Sequence, residues 1–516
     1  MPSLLLDGHT LTLAAVVRVA HDPAASVALA PEARARMAES HAWVEALVAR
    51  GEPVYGLNTG FGVFADRHIS RADTERLQRN LILSHAVGVG EPFAPEVVRA
   101  AMLIRANTLA LGHSGARPEL VETLLALLNA GVTPVIPSQG SLGSSGDLAP
   151  LSHLALVLSA DPAAPGDEAD SGQVWYQGQI LSGAAGMGAA GIPRLVLGPK
   201  EALALNNGAT FSAALGVLAV VAGRRALAAS TVGLALCLEA LRGASAAFDE
   251  RLHAARGHPG QQAVAAEVRR LLAGSTLMDA AGRVQDAYSL RCAPQVLGPA
   301  RDTLDHVAQV LTREINAATD NPLLFDGQAV SGGNFHGEAV GLALDYAAIA
   351  LAEVGAIAER RVARLIDEKL NDGLPPMLVS HAAEAGLNSG LMMAHYTAAA
   401  LALENRTLAT PDSLGSLPTS ANQEDHNANA ANAGRHLRQV VENVRHIVAI
   451  ELFSAAQAVD LRLAASPGAR LGAGTRQALA AIRAVAPHVE HDQLYGPALE
   501  ALAALVERQE WLEGEA

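Results

Sequence analysis

The chain is nearly free of cysteine. Cys237 and Cys292 are the only two in 516 residues. They cannot form a disulfide framework or a cysteine-built zinc site, and a reducing compartment follows as the simpler expectation. Lysine is as scarce, occurring only at Lys200 and Lys369. Arginine supplies the other basic residues, so a pyridoxal Schiff base has just two candidate anchors. Aromatic residues make up only 3% of the chain. Ala and Leu abound instead, and both are strong helix formers, so composition predicts a mainly all-α protein. Basic charge is also in deficit. A formal net charge of -15 favours solubility and repels phosphate backbones, so no nucleic-acid partner is expected. The first residues, Met1-Pro2-Ser3-Leu4-Leu5-Leu6-Asp7, have no basic region and a very short apolar run, unlike a signal peptide. The longest apolar stretch, around 214–241, is broken by Arg224, Arg225 and Glu239. It reads as a buried bundle helix, not a membrane span. The resulting expectation is a cytoplasmic protein with no membrane partner.

Half the residues are hydrophobic and 17% are charged, which is ample for a large core. Helical periodicity is clear over 96–112 and 118–130, with Gly131 as a stop. Loops rich in Gly, Asn and Ser are expected at 55–62, 138–147 and 182–192. Beyond about 200 the pattern becomes long Ala/Leu helices, at 212–243, 294–318, 338–370, 387–407 and 430–465. Three parts are expected: a loop-rich N-terminal lobe over 1–200, a long helical bundle over 201–470, and a short helical part over 471–516.

Some motifs carry little. Gly186-Met187-Gly188-Ala189-Ala190-Gly191 matches a dinucleotide fingerprint, but Pro193 follows at once, so it reads as a flexible loop. No H-E-x-x-H pair occurs among the 18 histidines, which gives a zinc hydrolase little support and implies no metal. His253 and His258 read as surface residues.

Other segments are denser in polar groups. Gly140-Ser141-Leu142-Gly143-Ser144-Ser145-Gly146-Asp147-Leu148-Ala149-Pro150 sets a small-Ser-Gly triplet between glycines and follows it with an Asp. Alone it reads as an ordinary Gly/Ser loop. It keeps company with Tyr55-Gly56-Leu57-Asn58-Thr59-Gly60-Phe61-Gly62, a glycine-spaced loop bearing a Tyr and an Asn. In Gln285-Asp286-Ala287-Tyr288-Ser289-Leu290-Arg291-Cys292, helical spacing would put Gln285, Tyr288 and Cys292 on one face, with Arg291 close by. Ser331-Gly332-Gly333-Asn334-Phe335-His336-Gly337-Glu338 opens a long helix, and Thr419-Ser420-Ala421-Asn422-Gln423-Glu424-Asp425-His426 lies between apolar helices. Polar runs in such places are costly to bury unless satisfied, which points to function.

Taken together and in this order, the five motifs resemble those of the aromatic amino acid ammonia-lyase and aminomutase family, over about 50–465. The resemblance implies a cofactor made by the chain itself and no external one. Ser144, Ser145 and Gly146 would cyclise and lose water to give 4-methylideneimidazol-5-one, with Ser145 losing its hydroxyl. Gly146 must be small because its amide nitrogen attacks the Ser144 carbonyl, and Asp147 is suited to orienting the loop. Ser144 stands where the family usually has Ala.

The resemblance also implies the remaining roles. Tyr55 would be the base that takes the β-proton, with its pKa lowered by positive charge or hydrogen bonds. Asn207 and Tyr288 would sit around the prosthetic ring. Arg291 would clamp the substrate carboxylate through its planar fork. Gln285 and Phe335 would line the pocket. His85 and Glu424 imply L-histidine, because a carboxylate can accept from an imidazole N–H but would be desolvated uselessly against a phenyl ring. Met392 stands where the branch acting on thiol-histidine betaine has Lys. Asn427-Ala428-Asn429-Ala430 stand where histidine-specific members usually show Val-Ser-Met. A phenylalanine or tyrosine lyase, an aminomutase and a silent helical scaffold remain alternatives. A homotetramer with sites shared between subunits is the implied assembly.

Overall fold

The computed structural model describes residues 3–51, 53–60, 62–64, 66–164 and 169–509. Phe61, part of the Tyr55 motif, lies outside them. Eighteen α-helices and nine short strands occur among the described residues, so the fold is mainly all-α. Local signals set many helix ends. Pro31, Pro95, Pro118 and Pro259 each open a helix, where a missing N–H costs nothing. Gly51 and Gly131 close theirs in the left-handed region. The long helices Thr210–Ala240, Ala293–Glu314, Glu338–Ile366, Met392–Leu408 and Ala430–Ala464 fall within a few residues of the periodicity.

The chain divides into two compact units. The first comprises 1–218, 308–345 and 411–435, and the second 219–307, 346–410 and 436–516. The first unit therefore takes in more than the lobe expected over 1–200. It adds two later segments that a reading along the chain would have left in the bundle, because packing and not sequence order defines a core.

The first unit holds all the strands. Leu4–Leu6 pairs in parallel with Val27–Leu29. Val89–Pro92 pairs antiparallel with Pro137–Gln139. Gln173–Tyr176 lies between Thr133–Pro134 and Gln179–Ser182. Leu323–Phe325 forms a hairpin with Gln328–Val330. Helices in this unit pack closely where glycine allows it: a Cβ on Gly216 would lie 2.6 Å from Leu344.

In the second unit, Arg361 and Glu451 form a fully buried ion pair. Ser230 joins it, donating to Glu451 at 3.2 Å and accepting from Arg361 at 2.7 Å. Such a pair does little for net stability but penalises any helix register that separates it.

Three local expectations are corrected. Gly183–Ala189 is a short helix capped by Ser182, not part of a flexible loop. His253 is buried, its ring held by the Ala247 carbonyl and Gln261, whereas His258 is exposed. The helix at Tyr288–Arg291 has only four residues, so Gln285 and Cys292 lie outside it and share no face with Tyr288. The helices Thr210–Ala240 and Glu338–Ile366 are long and apolar enough to cross a membrane, but 72% and 61% of their apolar windows are buried inside the protein.

Candidate active site

The triplet lies in the first unit, between the strand Pro137–Gln139 and the helix Leu148–Leu158. The backbone here needs glycine. Gly146 has φ +80°, and a Cβ on it would lie 2.0 Å from the backbone nitrogen of Gly208. Gly208 is itself at φ +130° and pairs with Gly146 in an isolated bridge. Asp147 donates its N–H to the Gly208 carbonyl at 2.8 Å.

The Asp147 carboxylate is buried beneath this turn. One oxygen accepts from Ser141 Oγ at 2.7 Å and Ser212 Oγ at 3.0 Å, and the other accepts from Ser212 N at 2.8 Å. Burial pushes its pKa up, against these hydrogen bonds. Asp147 thus ties the loop to the start of the helix Thr210–Ala240. Within the triplet, Ser144 and Gly146 are buried and Ser145 is only partly so.

Asn207 reaches the triplet from the end of the helix Glu201–Asn206. Its Nδ2 donates to the Ser145 carbonyl at 2.6 Å, while its Oδ1 is buried without a hydrogen-bond partner. Neighbouring Asn206 points elsewhere, donating to Ser152 Oγ at 3.1 Å.

A cavity of about 670 Å³ opens over the triplet. Tyr55, His85, Ser145, Asn207, Phe335 and Glu424 all line it. Six of the expected residues, distant in sequence, are therefore brought together. Tyr55 departs from expectation in its electrostatics. Burial, followed by the charges of Glu424 and Asp320, holds its pKa above the ordinary value, and a backbone hydrogen bond from Gly62 only partly opposes this. His85 ends the helix Thr74–His85. Its pKa is lowered by burial, against hydrogen bonding to Leu81 and the charge of Glu424.

Glu424 closes a tight turn. Thr419 N donates to the Glu424 carbonyl at 2.8 Å. Inside the turn Ser420, Ala421 and Asn422 all have positive φ, at 50°, 52° and 69°. Three successive non-glycine residues in the left-handed region are a strained arrangement, of the kind that collects at ligand sites.

Sequence reading missed Asn321, which also lines the cavity, as does Ser331 from the motif that leads to Phe335. Asn321 Oδ1 accepts from Gly332 N at 2.7 Å and Ser331 Oγ at 3.3 Å, so it shapes the loop that leads to Phe335. The available signal was the polar pair Asp320-Asn321 set directly before Pro322. Asp320 itself pairs with buried Lys200 at 2.5 Å. A Cβ on Gly56, next to Tyr55, would lie 3.6 Å from the Lys200 side chain. Lys200 thus belongs to the support of the Tyr55 loop.

Gln285, Tyr288 and Arg291 belong to the second unit and are not among the residues lining this cavity. Tyr288 and Arg291 lie together, and Gln285 is exposed. Tyr288 is 71% exposed, the Arg291 guanidinium lies 4.8 Å from its ring centre, and Arg291 Nε donates to the Asp286 carbonyl at 2.9 Å.

Residues 11–484 match the family described as aromatic amino acid lyase. The chain is 49% identical over 514 residues to the histidine ammonia-lyase of Symbiobacterium thermophilum, covering 99% of this chain and 97% of that one. Among solved structures, histidine ammonia-lyase from Trypanosoma cruzi superposes with a TM-score of 0.89 at 39% identity, over 99% of this chain and 94% of that one. Tyrosine aminomutase from Streptomyces globisporus gives 0.91 at 36% identity, over 99% and 98%.

Proposed function

The chain belongs to the aromatic amino acid lyase family, and from that premise we propose that it converts L-histidine to trans-urocanate and ammonia. It is an ammonia-lyase. The electrophile in this reading is 4-methylideneimidazol-5-one, made from Ser144, Ser145 and Gly146, with no external cofactor. The observation that carries the reading is the cradle around the triplet. Gly146 sits where a Cβ would strike Gly208, and Asn207 holds the Ser145 carbonyl while its Oδ1 stays buried and unpartnered. Such a cradle fits a ring built from the backbone itself. The group would supply an electrophilic carbon that no ordinary side chain offers.

The rest of the work falls to side chains of the cavity. Tyr55 takes the β-proton as its phenolate. Asn207 fixes the triplet carbonyl and offers an acceptor to a substrate or ring donor. Glu424 accepts the imidazole N–H, beside His85, and Phe335 closes the apolar wall. Arg291 provides a two-point clamp for the substrate carboxylate, with Gln285 and Tyr288 beside it. These three come from another copy of the chain in a homotetramer. The exposure of Gln285 and Tyr288 on the second unit, with the Arg291 guanidinium over the Tyr288 ring, supports that arrangement.

The test is a substrate panel on purified protein, paired with intact mass. Urocanate absorbance from histidine, with a chain lighter by two waters, is expected. Turnover of phenylalanine or tyrosine with none of histidine would replace the substrate. An unmodified triplet would favour a silent scaffold.

A further inference from the structure

Ring closure joins two atoms of the triplet. The Gly146 nitrogen bonds to the Ser144 carbonyl carbon, and that carbonyl oxygen leaves as water. Ser145 then gives up its α-proton and its hydroxyl as a second water, leaving a carbon–carbon double bond. The segment that must react is tied down at each residue. The Gly143 carbonyl accepts from Gly337 N at 3.0 Å. The Ser145 carbonyl accepts from Asn207 Nδ2, and Gly146 is paired with Gly208. Ser144 is tied through its side chain. Its hydroxyl donates to the Leu142 carbonyl at 3.3 Å and accepts from Ala428 N at 2.9 Å.

This last contact joins segments 284 residues apart in the sequence. It is also closed to water, with Ser144 5% exposed and Ala428 fully buried. Alanine at 144 would take away the acceptor of a buried N–H, whose satisfaction is otherwise lost. The two adjacent serines therefore differ in kind. Ser145 borders the cavity, and its hydroxyl is the one free to leave. The Ser144 hydroxyl is engaged as both donor and acceptor in the core.

We propose that Ser144 is a positioning residue for ring closure: its hydroxyl is retained, and the Ala428 N–H holds through it the residue whose carbonyl is attacked. This inference rests on the self-made ring of the proposed function.

The test follows maturation and does not depend on catalysis. Full-length native chain, Ser144→Ala and Ser145→Ala are each made by cell-free synthesis, and intact mass is recorded as a function of time after synthesis stops. The native chain and Ser144→Ala are expected to lose two waters, the variant about fivefold more slowly, as the loss of one ordering hydrogen bond implies. Ser145→Ala should not form the double bond. Equal rates for native and Ser144→Ala would overturn the proposal, whatever their melting temperatures. So would loss of a third water from the native chain, since the Ser144 hydroxyl would then have left. A native chain that loses no water would refute the ring itself, which is a separate failure.

Discussion

Asn207 Nδ2 donates to the carbonyl of Ser145 at 2.6 Å, while the other end of the same amide is buried and unpartnered. One side chain thus holds the serine proposed to react and keeps a buried acceptor without a partner beside it. Asn207→Ala should lower kcat about 10²- to 10³-fold, the cost of removing a preorganised polar contact at a reacting centre. Steady-state kinetics on folded variant check this, and a kcat within threefold of native would contradict it.

Tyr55 should govern the alkaline behaviour. Its pKa is held above the ordinary value by burial, Glu424 and Asp320. A base works deprotonated, so kcat/KM should still be climbing above neutral pH. Tyr55→Phe should remove that limb and cost about 10²- to 10⁴-fold in rate. A pH profile on both proteins decides the matter.

Glu424→Gln separates two effects. Losing the carboxylate weakens the bond to imidazole, and KM for histidine should rise roughly 10- to 100-fold. Losing its negative charge also lowers the Tyr55 pKa, so the rising limb should move to lower pH. If KM for histidine stays unchanged, Glu424 does not read the imidazole.

Glu314 makes a prediction about stability. Burial, with the charge of Asp147, raises its carboxyl from an ordinary 4.5 to about 7. A carboxyl raised on folding is stabilising while protonated, fully so below its unfolded value. That contribution is lost as pH rises through the folded value. Glu314→Gln should therefore flatten the dependence of melting temperature on pH between about 4.5 and 7. It should also melt above the native protein at pH 8. A native-like slope in the variant would show that another group titrates.

Sharing of sites between copies is tested by mixing. Tyr55→Phe and Arg291→Met are each expected to be nearly inactive. Co-expressed, they should regain activity, because some sites in mixed tetramers would combine an intact Tyr55 with an intact Arg291 from another copy. Absence of any recovery would place both residues of a site in one chain.

Much was legible in one dimension. The helix Pro118–Ala130 follows from 3.6-residue periodicity with a proline at one end and a glycine at the other, and Ala430–Ala464 from its periodicity, because these are local backbone preferences. The triplet was legible for the same reason, since glycines at 143 and 146 state their backbone need in the sequence. Asn321 was not, because its role depends on the turn at Ser331-Gly332, a contact made only in the folded chain.

The sequence by itself determined the helical class and, by resemblance, supplied the triplet and the site residues now proposed. Only the tertiary structure decided their surroundings. It raised the pKa of Tyr55 where a lowered one was expected, since burial and two carboxylates outweigh one backbone hydrogen bond. It put Gln285, Tyr288 and Arg291 in a separate unit from the cavity. It also tied Ser144 to Ala428, 284 residues away. Electrostatics and long-range hydrogen bonds depend on distances in space, and sequence order does not contain them.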